Sequence, residues 1–157
     1  MKVDLHLHTT ASDGRLAPGA LVRLAAERGL SVIAITDHDS IGGIAEALEA
    51  AQAIASLRVI PGVEINTDIP HGEVHILGYF IDHTSKELGQ TLASLRNSRR
   101  IRARKTIAKL AKLGIEVEWK RVKELAGGGS IGRPHIAQAM LEAGYISSLQ
   151  EAFSRYI

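Results

Sequence analysis

The chain has 157 residues, 45% of them hydrophobic and 23% charged, with a formal net charge of +2. This is the make-up of one folded domain or of part of a larger one, and it excludes disordered, fibrous and collagen-like classes. With no cysteine, disulfide scaffolds, iron–sulfur clusters and thiol catalysis are excluded too, so a metal site must use His, Asp and Glu, a shell suited to hydrolysis rather than electron transfer.

In chain order, Val3 to His8 alternates apolar and polar residues and predicts a strand, with His6 and His8 on one face. Pro18 to Arg28 predicts a helix ending at Gly29. Leu30 to Thr36 predicts a strand buried on both faces. Ile41 to Ser56 predicts an Ala-rich helix, and Val59 to Asn66 and Val74 to Ile81 two further strands. Strand–helix–strand–helix–strand is the pattern of a parallel α/β sheet or barrel. Thr84 and Glu87 form a capping-box pattern that opens a long helical segment ending at Gly114. Trp119 to Leu125 predicts a short amphipathic piece, Gly127 to Gly129 a turn, and Pro134 to Ala143 another helix. Ser148 and Glu151 offer a cap for the last segment. No apolar run reaches the ~18–20 residues that span a bilayer. The N-terminal MKVDLHLHTT lacks the apolar stretch of a signal peptide, so the expected compartment is the cytoplasm.

In a parallel α/β architecture the C-terminal strand ends converge, and there the strands deliver their His, Asp and Glu. His6 and His8 lie ~6.6 Å apart along their strand, close enough to share an ion. Asp13 follows in the loop, Asp37 and His38 end the second strand, Glu64 lies near the end of the third, and His75 lies in the fourth. Four strands acting together favour a metal site. His71 and His83 are expected to be solvated loop residues, Asp39 a helix cap, and Asp4 either a partner to the site or a strand-end charge. Arg133 and His135 flank Pro134 at a helix start, where free N–H groups and the dipole favour an anion. Eight Arg or Lys and no acid lie between Arg96 and Lys112. That run reads as a solvated helix face, with Leu88, Leu92, Leu95, Ile107 and Leu110 turned inward, and beside a phosphate site it would steer polyanions.

The segments His6-Leu7-His8, Ser12-Asp13-Gly14, Thr36-Asp37-His38-Asp39, Gly62-Val63-Glu64, His75-Ile76-Leu77-Gly78 and Gly132-Arg133-Pro134-His135-Ile136-Ala137 together resemble the successive motifs of the PHP (polymerase and histidinol phosphatase) superfamily. The Arg-Pro-His-Ile-Ala segment resembles one branch, that of nucleoside 3′,5′-bisphosphate phosphatases and 5′→3′ exoribonucleases acting on short RNA. The resemblance implies a distorted seven-stranded, TIM-like β/α barrel, with residues 1–83 its N-terminal part and residues 84–157 a helical insertion that caps the substrate. Members of the branch continue further and add another His and an Asp-x-His pair, whereas no His or Asp follows His135 here, so the rest of the barrel is expected to be absent. It implies His6, His8, Asp13, His38, Glu64 and His75 as ligands of two or three divalent ions. Manganese is the metal the family suggests, with zinc, iron or magnesium as alternatives. Glu64 would bridge two ions and have a catalytic role with His135, and Arg133 and His135 would bind the substrate phosphate. The implied activity is hydrolysis of phosphate monoesters of nucleotides, or of short oligoribonucleotides, by a metal-activated water. Two other readings are a phosphatase for another small ester such as histidinol phosphate, and a non-catalytic nucleic-acid-binding module built on the basic helix 96–112.

Overall fold

The computed structural model describes residues 1–69 and 72–157; His71 lies outside them. Four strands, β1 (Val3–Leu7), β2 (Val32–Ile35), β3 (Arg58–Ile69) and β4 (Gly72–Tyr79), form one sheet in that order. Helices α1 (Pro18–Glu27) and α2 (Ile44–Gln52) make the two crossovers, so β1, β2 and β3 run parallel. Strand β4 departs from the expected parallel order and pairs antiparallel with β3. The link between β3 and β4 is too short for a parallel crossover of a dozen or more residues, and a hairpin is what such a link permits. A side chain bridges the two edge strands, Tyr79 Oη of β4 donating to the Leu5 carbonyl of β1 at 3.0 Å. A flat sheet would hold those edges roughly 14 Å apart, three strand spacings, so the sheet curls into a half-barrel.

Helices α1 and α2 cover one face of the sheet. Val22, Ala25, Ile44 and Ala47 pack on Ile33, Ile35, Leu57 and Val59 in one apolar cluster. Helix α2 is shorter than expected. Its N-cap is Gly43, where an added Cβ would lie 2.7 Å from Thr9 Oγ1 and 3.0 Å from Asp37 Oδ2. The close approach of these two polar groups requires a glycine there.

The second half is helical: α3 (Lys86–Lys112), α4 (Trp119–Leu125), α5 (Arg133–Glu142) and α6 (Leu149–Arg155). A second apolar cluster, including Leu110, Val122, Ile136, Met140 and Ala152, holds these helices together. The cap of α3 is Ser85, whose Oγ accepts from Leu88 N–H, and not Thr84. Thr84 is already engaged, donating from N–H and Oγ1 to Asp82 Oδ1. Gly114 ends this segment at φ +78, a left-handed conformation that a side chain would strain. The cap expected at Ser148 is present, with Oγ accepting from Glu151 N–H at 3.2 Å. Among the described residues no helix is long and apolar enough to cross a membrane.

Candidate metal centre and cleft

The side chains gather around Glu64, which β3 holds at 2% exposure. Past the end of β2 the parallel ladder continues to His38, which bridges to Glu64. Asp39 N–H donates to the Glu64 carbonyl, and Glu64 N–H to the Asp37 carbonyl. His38 and Glu64 are therefore neighbours by main-chain pairing. His75 arrives differently from the sequence expectation, from the first half of an antiparallel strand. Glu64 faces Leu77 across the ladder, and His75, two residues earlier, is its diagonal neighbour on the same face. His6 and His8 share a face by their two-residue spacing.

The distances are short. His6 Nε2 lies 2.8 Å and His8 Nε2 3.0 Å from Glu64 Oε2, and His75 Nδ1 lies 2.5 Å from Oε1. His38 Nδ1 is 3.6 Å from Oε2, while its Nε2 is 3.6 Å from Asp13 Oδ2; Asp13 Oδ1 is 3.4 Å from His8 Nδ1. Three overlapping groups result: His6, His8 and Glu64; His8, Asp13 and His38; His38, Glu64 and His75. Within each group the donor atoms lie within 4.8 Å of one another. Each pair of groups shares one residue.

This donor set fits divalent cations. Four imidazoles and two carboxylates converge, and His38 Nδ1 is buried without a hydrogen-bond partner among the described residues. Burial drives the His38 pKa down to about 4, against the opposing pull of Asp13 and Glu64 and with help from Arg99 and His8. At neutral pH the ring keeps its lone pair. Burial pushes the Glu64 carboxyl up, but hydrogen bonds to His6 and His75 and the nearby His38 outweigh it and hold the group below its ordinary value.

Both shifts have the same consequence for stability. Between the ordinary histidine pKa and about 4, the unfolded chain binds a proton at His38 that the folded chain refuses. The depressed Glu64 likewise contributes stability above its unfolded value and loses it on acidification. The metal-free protein is expected to lose stability steadily as pH falls from about 6.5 to about 4, read from urea midpoints in chelator. A flat profile over that range would contradict a buried, neutral His38.

A cleft of about 200 Å³ opens beside the cluster. Asp13, His38 and His75 line it together with Arg99, Arg102 and Arg133. Arg133 is exposed at the start of α5, as its position before Pro134 implied. His135 is 8% exposed and lines a neighbouring cavity with Asp13 and Gly14. Its Nδ1 accepts from Gly132 N–H at 3.0 Å, so the neutral ring carries its proton on Nε2. Burial lowers its pKa although Asp13 opposes the shift.

Asp37, though beside His38, joins none of the three groups. It is buried and accepts from Thr9 N–H and Oγ1, both at 2.7 Å, and from Ser12 Oγ at 2.6 Å. Asp4 accepts from His6 N–H at 3.1 Å. Asp39 is not the helix cap expected for α2, which begins five residues later, at Ile44, behind Gly43. Instead it is 1% exposed and paired with Arg99, also buried. The basic run is thus not wholly solvated: Arg99 points inward, and Arg104 stacks 4.9 Å from the Trp119 ring centre. Sequence reasoning missed Asp39 and Arg99. A signal was present, since Leu92, Arg99, Ala103 and Leu110 fall on one helical stripe by spacings of seven, four and seven, and all four are buried.

A family model described as PHP domain matches residues 4–114. The 5′-3′ exoribonuclease Rnm of Escherichia coli is 41% identical over 155 residues, covering 98% of this chain and 53% of that protein. The 3′,5′-nucleoside bisphosphate phosphatase of Chromobacterium violaceum is 34% identical over 161 residues, covering 99% of this chain and 54% of that protein. Among solved structures, an amidohydrolase from Chromobacterium violaceum with bound sulfate has a TM-score of 0.90 at 33% identity, covering 99% of this chain and 55% of that one. The chain spans about half the length of the curated relatives it matches.

Proposed function

This chain belongs to the PHP domain family, and on that premise we propose that it carries the metal-binding part of a phosphoesterase acting on nucleotides or short oligoribonucleotides. The observation that carries the reading is the convergence of four imidazoles and Asp13 on a buried Glu64, beside a cleft walled by arginines. Relatives named as an exoribonuclease and a nucleoside bisphosphate phosphatase support the substrate class. Sulfate bound to a close structural relative supports a tetrahedral oxyanion as ligand. Residues 1–83 supply the cluster, and residues 84–157 supply the arginines that cap the cleft.

His6, His8, Asp13, His38, Glu64 and His75 would hold the divalent ions. A neutral imidazole offers one lone pair, so four of them with two carboxylates suffice for two ions better than for three. The mixed imidazole and carboxylate shell favours manganese over magnesium, with zinc and iron as alternatives. Bound there, divalent ions activate water and polarise the phosphoryl group of the substrate. The carboxylate of Glu64 faces His6 and His8 with one oxygen and His75 with the other, which suits it to serve two sites at once. Arg133 presents an exposed guanidinium fork that pairs with phosphate oxygens. His135 holds an N–H on Nε2 as a further donor, its Nδ1 being committed to the helix start. No side-chain nucleophile is required.

The test is phosphate release from adenosine 3′,5′-bisphosphate with manganese and with chelator. Release confined to the manganese arm is the expected result; release that ignores the chelator overturns the reading. Salt-sensitive RNA binding without any metal-dependent hydrolysis would instead favour a binding module built on α3. Arg133→Ala is expected to raise KM roughly tenfold with kcat little changed, because it holds phosphate equally in ground and transition states. A drop confined to kcat would show that Arg133 acts on the transition state alone.

A further inference from the structure

The basic run of α3 does not act as one face. Arg99 is buried against Asp39, Arg102 lines the metal cleft, and Arg104 stacks on Trp119. Arg96 and Arg100 lie outside that cleft, four residues apart and so neighbours on one helical stripe. With Lys123 of α4 they line a separate groove of about 410 Å³. Its wall includes bare main chain at Gly128 and Gly129, part of the glycine turn, which supplies nothing to the metal cluster. The turn is seated on the loop after His8, since a Cβ at Gly129 would lie 2.7 Å from the Thr10 carbonyl oxygen.

The groove has the chemistry of an anion site. No acidic residue is among the described residues that line it. Arg100 and Lys123 are exposed and have no ion-pair or hydrogen-bond partner among the described residues. Arg96 donates from Nη1 to the Asp39 carbonyl at 2.8 Å, a neutral acceptor that leaves its charge uncompensated. An adjoining hollow shares Arg96, Gly128 and Gly129 with the groove and is also lined by Ser130. Ser130 is 2% exposed, and its Oγ is buried without a hydrogen-bond partner among the described residues. A buried hydroxyl left unpaired is unfavourable, and a ligand oxygen in the hollow relieves it. The one carboxylate lining that hollow, Glu46, accepts from Gly19 N–H at 2.9 Å.

The groove abuts the metal cleft, because Ile131 lines both. From Arg96 to Arg102 the helix advances by ~9 Å, so the two sites are close enough for one molecule with repeating phosphates to reach both. No aromatic residue lines the groove, so such a ligand is held there by its backbone charge and not by stacking of its bases.

We propose that this groove is a second anion site, outside the metal cleft, that holds the sugar–phosphate backbone of a single nucleic-acid strand whose end lies at the cluster. The grip is independent of base and keeps the strand bound while its end reacts. The placement of that end rests on the phosphoesterase reading; the groove does not.

The test is fluorescence anisotropy of labelled oligouridylates with the full chain, in chelator and at rising salt. An eight-nucleotide strand is expected to bind roughly tenfold or more tightly than a dinucleotide, and oligoadenylate of equal length to bind within about twofold of oligouridylate. Arg100→Gln and Lys123→Gln are each expected to weaken binding of the longer strand roughly three- to tenfold, leaving the dinucleotide unaffected. Each should also flatten the slope of log affinity against log salt by ~0.7. Lys109→Gln removes the same charge from an exposed position of α3 outside the groove and is expected to leave affinity within about twofold of the wild type. An equal loss in the Lys109 variant, equal affinity for the two lengths, or full affinity in both groove variants overturns the inference. Manganese-dependent phosphate release from adenosine 3′,5′-bisphosphate is followed separately. If release is absent while groove-dependent binding stands, the phosphoesterase reading fails and the groove remains.

Discussion

Glu64→Gln is expected to lower divalent-metal affinity on the order of a hundredfold or more and to abolish metal-dependent hydrolysis, while the far-UV spectrum stays that of the folded protein. The amide keeps the shape of the side chain but removes its charge and one acceptor oxygen. Glu64 belongs to two of the three donor groups and meets His6, His8 and His75 directly. Metal content after dialysis against manganese, measured beside the wild type, decides the matter, and full retention of manganese by the variant would remove this cluster as the metal site. The shared membership ranks the other ligands. His8 also serves two groups, and His8→Ala is expected to abolish hydrolysis. His6 serves one group and is half exposed, so His6→Ala should lose less metal than His8→Ala.

Asp37→Ala is expected to destabilise the protein by about 3–5 kcal/mol, although Asp37 belongs to none of the donor groups. Its carboxylate is 1% exposed and accepts three hydrogen bonds from Thr9 and Ser12. Removing it leaves Thr9 N–H and two hydroxyls without that acceptor inside the protein. The same bonds hold the loop between His8 and Asp13 against the end of β2, so metal binding should weaken alongside stability. Urea denaturation in chelator isolates the stability effect from metal release. A loss below about 1 kcal/mol would mean that water replaces the carboxylate and that the loop is not anchored there.

Much of the site is written in local spacing. Placing His6 and His8 on one face needs only the two-residue period of a strand, and His38 follows a strand end that a hydrophobic run already marks, whereas Glu64 lies mid-strand because β3 runs on to Ile69. The parallel order of β1, β2 and β3 follows from two intervening helices. The direction of β4 was not legible in the same way. An apolar run carries no sign of strand direction, and His75 reaches Glu64 through diagonal pairing in a hairpin rather than at a parallel strand end. The cap of α3 differed because Asp82 competes for Thr84, a choice between neighbouring hydrogen bonds that composition does not decide.

Which residue types meet follows from the order of amino acids alone: a cysteine-free, histidine-rich set on successive strands, followed by a helical half rich in arginine. Periodicity suffices for this, because side-chain direction along a strand or helix is a local property. Which of those charges are buried, and with whom, depends on long-range packing. Asp39 and Arg99 lie sixty residues apart in the chain and pair in the interior, and the partnership turns a nominally solvated arginine toward the cleft. Burial of a charge depends on the partner that compensates its lost hydration, and that partner is supplied by the packing of α3 against the His38 loop rather than by any neighbour in the chain.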